Sequence, residues 1–151
     1  MRLFSAVFPD ETAARHLEHA VRGLPERVTQ RPRWHITLCF HGEEEPGPMA
    51  ERLRARLTGM PAPRLRLAGS GRFGAVYFAA VDEAEPGVLR ELALACGAGW
   101  WFHPHLTLSR AVPGDPLAGY SGPWFTAPEA ALVASEGGRY TVLRRFPLCA
   151  K

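Results

Sequence analysis

Two short segments of the chain place a histidine and a hydroxyl side chain at the same spacing. Residues 35–38 read His-Ile-Thr-Leu, and residues 105–108 read His-Leu-Thr-Leu. Alternate side chains of a β-strand point to opposite faces, so each histidine shares a face with the threonine two residues later. Histidine gives or takes a proton near neutral pH, and a threonine hydroxyl can donate a hydrogen bond to an oxyanion. Two copies of this pair predict one cleft that binds a phosphate and transfers protons.

A metal site is the main alternative interpretation of these histidines. His103 shares a face with His105 if the second strand extends back through Pro104, and imidazole is a common zinc ligand. Neither motif has an aspartate or glutamate beside it, however, and a metal would leave the threonines without a role. A core histidine explains either motif alone but does not explain two matching copies. We therefore expect a site that uses no metal and no other cofactor.

The elements that must position the motifs occur in a repeated order. A strand, a helix and a motif strand appear in the first part of the chain and again in the second, with the two histidines 105 − 35 = 70 residues apart. The repeat predicts one α+β domain over 1–151. It has two pseudo-symmetric lobes, each an antiparallel sheet with flanking helices around a central groove, and its halves span roughly 1–60 and 64–151. Periodicity predicts strands over 2–8, 34–40, 64–73, 74–81, 105–110, 130–135 and 140–146, and helices over about 10–22, 48–58 and 86–96.

Composition limits the class of protein without identifying its activity. The chain has 151 residues, 46% of them hydrophobic and 22% charged, which is ordinary for one globular domain. Lys151 is the only lysine, so 17 of the 18 basic residues are arginine. The arginine fork suits phosphate, but a GC-rich genome explains this usage equally well. The three widely spaced cysteines, Cys39, Cys96 and Cys149, form neither a disulfide framework nor a Cys-x-x-Cys zinc pattern.

The chain carries no recognisable membrane or export signal. Its apolar runs are far shorter than the roughly 20 residues that a bilayer requires. The first residues lack the long apolar region and the cleavage site of a signal peptide. We expect a cytoplasmic, monomeric protein without a membrane partner.

The two motifs and their surroundings resemble the two-histidine phosphoesterase superfamily. Within it, the chain is most similar to the RNA 2′,3′-cyclic phosphodiesterases of bacteria and archaea, also called 2′–5′ RNA ligases. The resemblance covers the opening RLFSAVFPDE, the segments RWHITLCF and FHPHLTLSR, and the C-terminal RYTVL with the FPL that follows it. These matches are spread over nearly the whole chain in the order that the family has them.

The resemblance implies metal-independent hydrolysis of RNA 2′,3′-cyclic phosphate ends to 2′-phosphomonoesters, with possible reversible 2′–5′ RNA ligation. It makes His105 the general base and His35 the general acid, and it makes Thr37, Thr107 and Arg110 the phosphate contacts. The partner is then RNA with a 2′,3′-cyclic phosphate end, or a small cyclic nucleotide. A non-catalytic RNA-binding module is a further alternative, although binding alone does not require a histidine in both motifs.

The residues that follow and flank the motifs are harder to interpret. Strict alternation turns Arg110 away from the histidine face, so it contacts phosphate only if the strand ends or bulges there. By the same alternation Phe40, its counterpart after the first motif, is a core residue more readily than a base-stacking one. Tyr140 and Arg139, beside a predicted hairpin turn at 137–138, are candidates with Phe40 for the substrate groove. The remaining aromatic residues near the motifs are expected to be mostly buried, with base stacking as the alternative: Trp100, Trp101, Phe102 and Trp124.

Overall fold

The structure, a computed structural model, describes residues 1–24 and 31–150. They form two four-stranded antiparallel sheets, three α-helices and a 3₁₀ helix at Arg31–Arg33. The strands are β1 (Arg2–Val7), β2 (Ile36–Glu43), β3 (Arg64–Phe73), β4 (Val76–Glu83), β5 (His105–Arg110), β6 (Phe125–Thr126), β7 (Glu129–Glu136) and β8 (Arg139–Pro147). The helices are α1 (Glu11–Ala20), α2 (Pro46–Leu57) and α3 (Val88–Cys96). The strand order is β2-β1-β7-β8 in the first sheet and β5-β4-β3-β6 in the second. The predicted α+β fold with two lobes is confirmed.

The local signals in the sequence account for most element boundaries. The first helix begins after Asp10, whose side chain accepts a hydrogen bond from the backbone N–H of Ala13 at 2.8 Å. This cap satisfies one of the free donors at the helix start, as the acidic Pro-Asp-Glu segment predicts. The helix ends at Ala20, two residues before the predicted end. The two-residue strand β6 is too short to leave a periodic pattern, and the sequence did not predict it.

The first sheet takes strands from both ends of the chain. Strand β7 pairs with β1, placing Leu3 opposite Ala134 and Ala6 opposite Ala131, and β8 pairs with β7 at the sheet edge. The second sheet consists of the strands between Arg64 and Thr126. A sheet therefore does not coincide with a contiguous half of the chain. The division into halves 1–60 and 64–151 stays a prediction about the repeat.

The main core lies between one face of each sheet and the helices. Alternate residues of β1 illustrate the arrangement, because Leu3 and Val7 belong to this core while Phe4 and Ala6 belong to a smaller cluster on the opposite face. Both motif strands, β2 and β5, are edge strands of their sheets. They approach each other to within 8 Å between Cα atoms. The junction of the two sheets therefore brings the two motifs together.

Among the described helices, none combines the length and the apolar character that a membrane crossing needs.

Candidate active site

The two motifs line a single groove at the junction of the sheets. His35, Thr37, His105 and Thr107 all contribute to its wall, and its volume is about 420 Å³. We call this space the motif groove. Its other lining residues come mainly from β1, β2, β7 and β8: Arg2, Leu3, Phe4, Phe40, Gly42, Ser135 and Tyr140. The structure therefore brings together the two histidines and two threonines that the sequence pattern selects.

Alternation within each motif separates the groove face from the core face. Ile36 and Leu38 are buried, whereas His35 and Thr37 between them are only partly buried. The second motif repeats this pattern with two buried leucines and a partly buried histidine and threonine. Burial of the aliphatic residues anchors each strand in the core and thereby fixes the direction of its polar side chains.

A β-bulge follows the threonine in both motifs. In the first lobe, Thr37 lies opposite Ala6 and Cys39 lies opposite Ser5, so Leu38 has no partner of its own on β1. A bulge places one extra residue in a strand and changes which face the following side chains occupy. The extra residue lies at the same position in both motifs.

The second bulge has the same form. Thr107 lies opposite Phe78 and Ser109 lies opposite Tyr77, which leaves Leu108 as the extra residue. Leu108 and Ser109 are consecutive, yet both are buried. Two successive inward side chains are what a bulge produces, and strict alternation does not allow them.

The bulges turn the second residue after each motif to the groove face. Phe40 lies opposite Phe4, and Arg110 lies opposite Val76, in the register that follows each bulge. The prediction that Phe40 is a core residue is wrong: its side chain is 75% exposed and lines the motif groove. Arg110 is exposed on the same sheet face as His105 but does not line the groove itself. The pairing therefore turns Arg110 to the sheet face that carries His105 and Thr107, and its contact with phosphate stays a prediction.

Both imidazoles are held in the same way by the backbone. His35 Nδ1 donates a hydrogen bond to the carbonyl oxygen of Arg33 at 2.7 Å, and His105 Nδ1 donates to that of His103 at 2.8 Å. A carbonyl oxygen only accepts hydrogen bonds, so in the neutral imidazole the proton is on Nδ1. Nε2 of each ring is then the atom that takes up or releases a proton.

The environment of His35 favours its neutral form. Burial lowers the pKa of His35 below its ordinary 6.5, and positive charge on His105 and Arg33 adds to that effect, while the hydrogen bond to the Arg33 carbonyl opposes it. Desolvation disfavours the charged form of an imidazole, which explains the direction. The electrostatic effect of His105 on His35 agrees with their position in one groove.

Aromatic rings hold His35 on the first-lobe side of the groove. Its ring centroid lies 4.8 Å from that of Phe4 and 5.4 Å from that of Tyr140, the latter edge-on. The guanidinium of Arg33 lies 4.5 Å above the Tyr140 ring. Tyr140 thus lines the motif groove beside His35, and its contact with a substrate stays a prediction. Arg139 alternates with Tyr140 on β8 and does not line the groove.

The threonine hydroxyls remain available for a ligand. Over residues 1–24 and 31–150, neither Thr37 nor Thr107 uses its hydroxyl in a hydrogen bond to the protein. Both line the motif groove beside a histidine. They can therefore donate to the non-bridging oxygens of a phosphate placed between the two imidazoles.

The alternative metal site built on His35, His103 and His105 does not form. Within the residues that the structure describes, no three histidine, cysteine, aspartate or glutamate side chains converge closely enough to hold an ion. The ring centroid of His103 lies 6.4 Å from that of His105, and its carbonyl instead orients His105.

The prediction from sequence missed five groove residues: Arg2, Phe4, Leu3, Gly42 and Ser135. Arg2 and Phe4 alternate with the core residues of β1 and so share a groove-facing side. Ser135 lies opposite Tyr140 in the β7–β8 pairing. Alternation along RLFSAVF places Arg2 and Phe4 on one face of the strand. The sequence does not reveal which face lines a site, because the strand is apolar on both faces.

Several solved structures are similar to this chain over almost its whole length. A protein of Thermus thermophilus is 33% identical, with a TM-score of 0.74 and coverage of 97% of both chains. E. coli LigT in complex with phosphate is 26% identical, with a TM-score of 0.78 and coverage of 97% of this chain and 96% of LigT. A phosphoesterase is 25% identical, with a TM-score of 0.78 and coverage of 97% and 98%. LigT has also been solved with NADP+, 3′-AMP and ATP. No protein-family model and no curated protein sequence matches this chain.

Proposed function

Because this chain belongs to the two-histidine phosphoesterase superfamily, we propose that it hydrolyses the 2′,3′-cyclic phosphate ends of RNA to 2′-phosphomonoesters without a metal ion. The observation that carries the proposal is the motif groove, where two imidazoles with the same tautomer and two free threonine hydroxyls line one space. The phosphate and nucleotide complexes of LigT support the substrate class.

The proposed reaction needs two proton transfers, one from the attacking water and one to the departing ribose oxygen. His105 Nε2 takes a proton from water as the water oxygen attacks phosphorus, and the bond between phosphorus and the ribose 3′-oxygen breaks. His35 Nε2 delivers a proton to that departing oxygen, which leaves the phosphate on the 2′-oxygen. Histidine suits both roles because its ordinary pKa lies close to working pH.

The threonines stabilise the charge that develops during this step. Thr37 and Thr107 donate hydrogen bonds to the two non-bridging oxygens, where negative charge accumulates in the transition state. Each threonine side chain is positioned by its strand, so the two donors stay beside the phosphate throughout the reaction. An RNA 5′-hydroxyl that enters in place of water forms a 2′–5′ linkage by the same proton transfers.

The lowered pKa of His35 makes its proposed acid role depend on the substrate. The free protein keeps His35 largely neutral near pH 7, because burial disfavours the imidazolium. A phosphodiester carries a negative charge, and an opposite charge close to an imidazole favours its protonated form. Substrate binding is therefore coupled to proton uptake at His35, which prepares the acid only when there is a bond to cleave.

The test uses an RNA oligomer with a 2′,3′-cyclic phosphate end, incubated with the protein and excess EDTA. We expect conversion to a 2′-phosphate, identified by ³¹P NMR, and loss of that conversion in His35→Ala and in His105→Ala. His19→Ala is the matched control, because His19 is an exposed histidine on α1 outside the motif groove. Activity that EDTA abolishes and zinc restores, or binding without turnover, would contradict the proposal.

A small cyclic nucleotide is the second candidate substrate. The motif groove has a volume of about 420 Å³, within the usual range for sites that bind small molecules. Comparing kcat/KM for the oligomer with kcat/KM for 2′,3′-cyclic mononucleotides separates the two. A preference for the oligomer indicates contacts to upstream nucleotides, and equal values indicate recognition of the terminal nucleotide alone.

A further inference from the structure

The residue two positions before each motif histidine has the same backbone role in both lobes and a different side chain. The carbonyl oxygen of Arg33 accepts the hydrogen bond of His35, and that of His103 accepts the hydrogen bond of His105. The imidazole of His103 packs edge-on against the ring of Phe73 at 5.4 Å, whereas the Arg33 side chain is exposed. The second motif therefore begins beside aromatic rings, and the first begins beside a cation.

The motif groove is continuous with a second space, because Thr37, Phe40 and His105 line both. We call this second space the aromatic groove, after the rings that line it: Phe40, Phe73, Trp101 and Phe102. The expectation of burial is wrong for Trp101, which is 72% exposed, and also for its neighbour Trp100. Among the described residues that line the aromatic groove, none is arginine, lysine, aspartate or glutamate. A second charged group of a substrate is therefore expected outside it.

Arg33 carries a positive charge that no carboxylate neutralises. Arg31, in the same 3₁₀ helix, forms salt bridges with Glu11 at 2.5 Å and Glu18 at 3.8 Å. Within the part of the chain that the structure describes, the Arg33 guanidinium forms neither a salt bridge nor a hydrogen bond, and it lies 4.5 Å above the Tyr140 ring. Stacking on an aromatic ring holds the planar group in place and leaves its N–H edge free for an anion.

Tyr140 places this cation one side chain away from the reacting centre. Its ring lies edge-on to the imidazole of His35 at 5.4 Å. The sum of this distance and the 4.5 Å to the guanidinium, about 10 Å, is the upper limit for the separation of Arg33 from the His35 ring. Arg33 does not line the motif groove. It is therefore placed to bind a neighbouring anion of the substrate and not the reacting phosphate itself.

The proposed reaction indicates which anion this is. His35 delivers its proton to the departing ribose oxygen, while water attacks phosphorus from the opposite side, next to His105. The ribose of the terminal nucleoside therefore lies on the side of His35. Its 5′-oxygen carries the phosphodiester that leads to the preceding nucleotide, which has one negative charge and two non-bridging oxygens. The guanidinium fork matches two such oxygens.

We propose that Arg33 binds the phosphate on the 5′-oxygen of the terminal nucleoside, which in RNA is the phosphodiester to the preceding nucleotide. Tyr140 is its positioning residue. This inference rests on the proposed function and makes RNA ends better substrates than free cyclic mononucleotides, which lack this phosphate. Arg2 of the motif groove is less suited to the role, because Glu43 lies opposite it in the pairing of β1 with β2.

The experiment measures kcat/KM for three substrates with the same terminal nucleoside. They are adenosine 2′,3′-cyclic phosphate, the dinucleotide ApA with a 2′,3′-cyclic phosphate end, and this dinucleotide with an uncharged methylphosphonate in place of its phosphodiester. We expect the charged dinucleotide to exceed the other two by about fivefold, the strength of a charge-assisted contact at an exposed site. Arg33→Gln should abolish this advantage, and Arg33→Lys should keep part of it, because lysine retains the charge without the fork.

Two further variants test whether the effect is local. Arg139→Gln is the matched control, because Arg139 is an exposed arginine next to Tyr140 on β8 that does not line the motif groove. An equal loss of the advantage in Arg139→Gln shows diffuse attraction and overturns the proposal. Tyr140→Leu should reduce the advantage, and Tyr140→Phe, which keeps the ring, should preserve it. An advantage that is absent, or that Arg33→Gln leaves intact, also overturns the proposal.

A small nucleotide with its own 5′-phosphate is the other source of the same anion. An equal gain for 5′-phosphoadenosine 2′,3′-cyclic phosphate supports the Arg33 contact and assigns it to the 5′-phosphate alone, whereas a larger gain for the dinucleotide supports RNA. Failure to turn over all of these compounds and the RNA oligomer contradicts the proposed function. Binding of ApA 2′-phosphate and its methylphosphonate analogue then decides the role of Arg33: tighter binding of the charged compound that Arg33→Gln abolishes supports it, and equal Kd values overturn it.

Discussion

The two histidine motifs share a backbone and differ in their surroundings. In both, Nδ1 donates to the carbonyl two residues earlier, the threonine lies on the groove face, and a leucine forms the bulge. His35 lies against Phe4 and Tyr140, and burial lowers its pKa. His105 lies against Phe73 and Phe78 at the boundary with the aromatic groove.

The backbone and the neighbouring side chains thus contribute differently to the site. The repeated backbone places like groups on two walls of one groove, which a bond-breaking reaction at phosphorus requires. The neighbouring side chains make the two walls unequal. The bulges contribute to this inequality, because the same backbone device presents Phe40 in one lobe and Arg110 in the other.

The largest expected effect tests which histidine has which role. His35→Ala and His105→Ala should each lower kcat by about 10²–10⁴-fold, the usual contribution of a positioned acid or base. The residual pH profiles should differ: loss of the acid removes the alkaline limb in His35→Ala, and loss of the base removes the acidic limb in His105→Ala. Rate measurements from pH 5 to 9 check this. The opposite pattern reverses the assigned roles and leaves the reaction unchanged.

The threonines should behave alike in spite of their unequal surroundings. Thr37→Val and Thr107→Val keep the side-chain shape and remove the hydroxyl donor, so each should lower kcat by about 10²–10³-fold. Ser is the control at either position, because it keeps the donor and should retain most of the rate. Single-turnover rates on the cyclic substrate measure the loss. A strong effect at only one threonine shows that only one wall holds the phosphate oxygens.

The bulge in the second lobe predicts a smaller effect at Arg110, which it turns to the sheet face of His105. Arg110→Gln should raise KM several-fold with little change in kcat, more at low ionic strength than at high, because a rim charge attracts the phosphate through solvent. Arg144→Gln is the control, since that exposed arginine lies near Glu51 and outside the motif groove. Steady-state kinetics at two salt concentrations provide the measurement. A KM that Arg110→Gln leaves unchanged removes Arg110 from substrate binding.

The smallest effect concerns the pKa of His35. An acid must be protonated, so kcat/KM should fall as pH rises through the lowered pKa of His35 in the free protein, placing the alkaline limb below pH 6.5. Arg33→Gln removes a charge that disfavours the imidazolium, so it should move this limb to higher pH. Arg33→Lys keeps the charge and should not. A limb that both variants leave in place removes Arg33 from the causes of the lowered pKa, which leaves burial and the charge of His105.

Local patterns in the sequence correctly predicted the strand face of the reactive groups, but they did not predict the face of the residues that follow them. Alternation within four residues correctly put His35 and Thr37 on one face, because that geometry depends only on the strand itself. The same alternation failed at Phe40, because a bulge depends on pairing with β1 and not on the motif alone. For Arg110, alternation left open whether the strand bulges, and the pairing with β4 shows that it does.

Hydrophobic character misled the prediction at Trp101, whose side chain is exposed. An exposed tryptophan and a core tryptophan have the same sequence signal, so Trp101 was expected in the interior. Strands β7 and β8 had clear local patterns, but nothing near them in the chain indicated that they join the sheet of β1. Long-range pairing of this kind is decided by the fit of whole surfaces.

The amino-acid sequence alone determined that two histidine–threonine pairs exist, that each pair occupies one strand face, and that the chain resembles phosphoesterases that use such pairs. The first two properties follow from spacing and residue type, which act over a few bonds, and the third rests on matching segments spread along the chain. Only the tertiary structure decided that both pairs line one groove, that Phe40 and Arg110 turn towards it, and that aromatic rings extend it. Those properties depend on strand register and on the packing of one sheet edge against another, between residues that are distant along the chain.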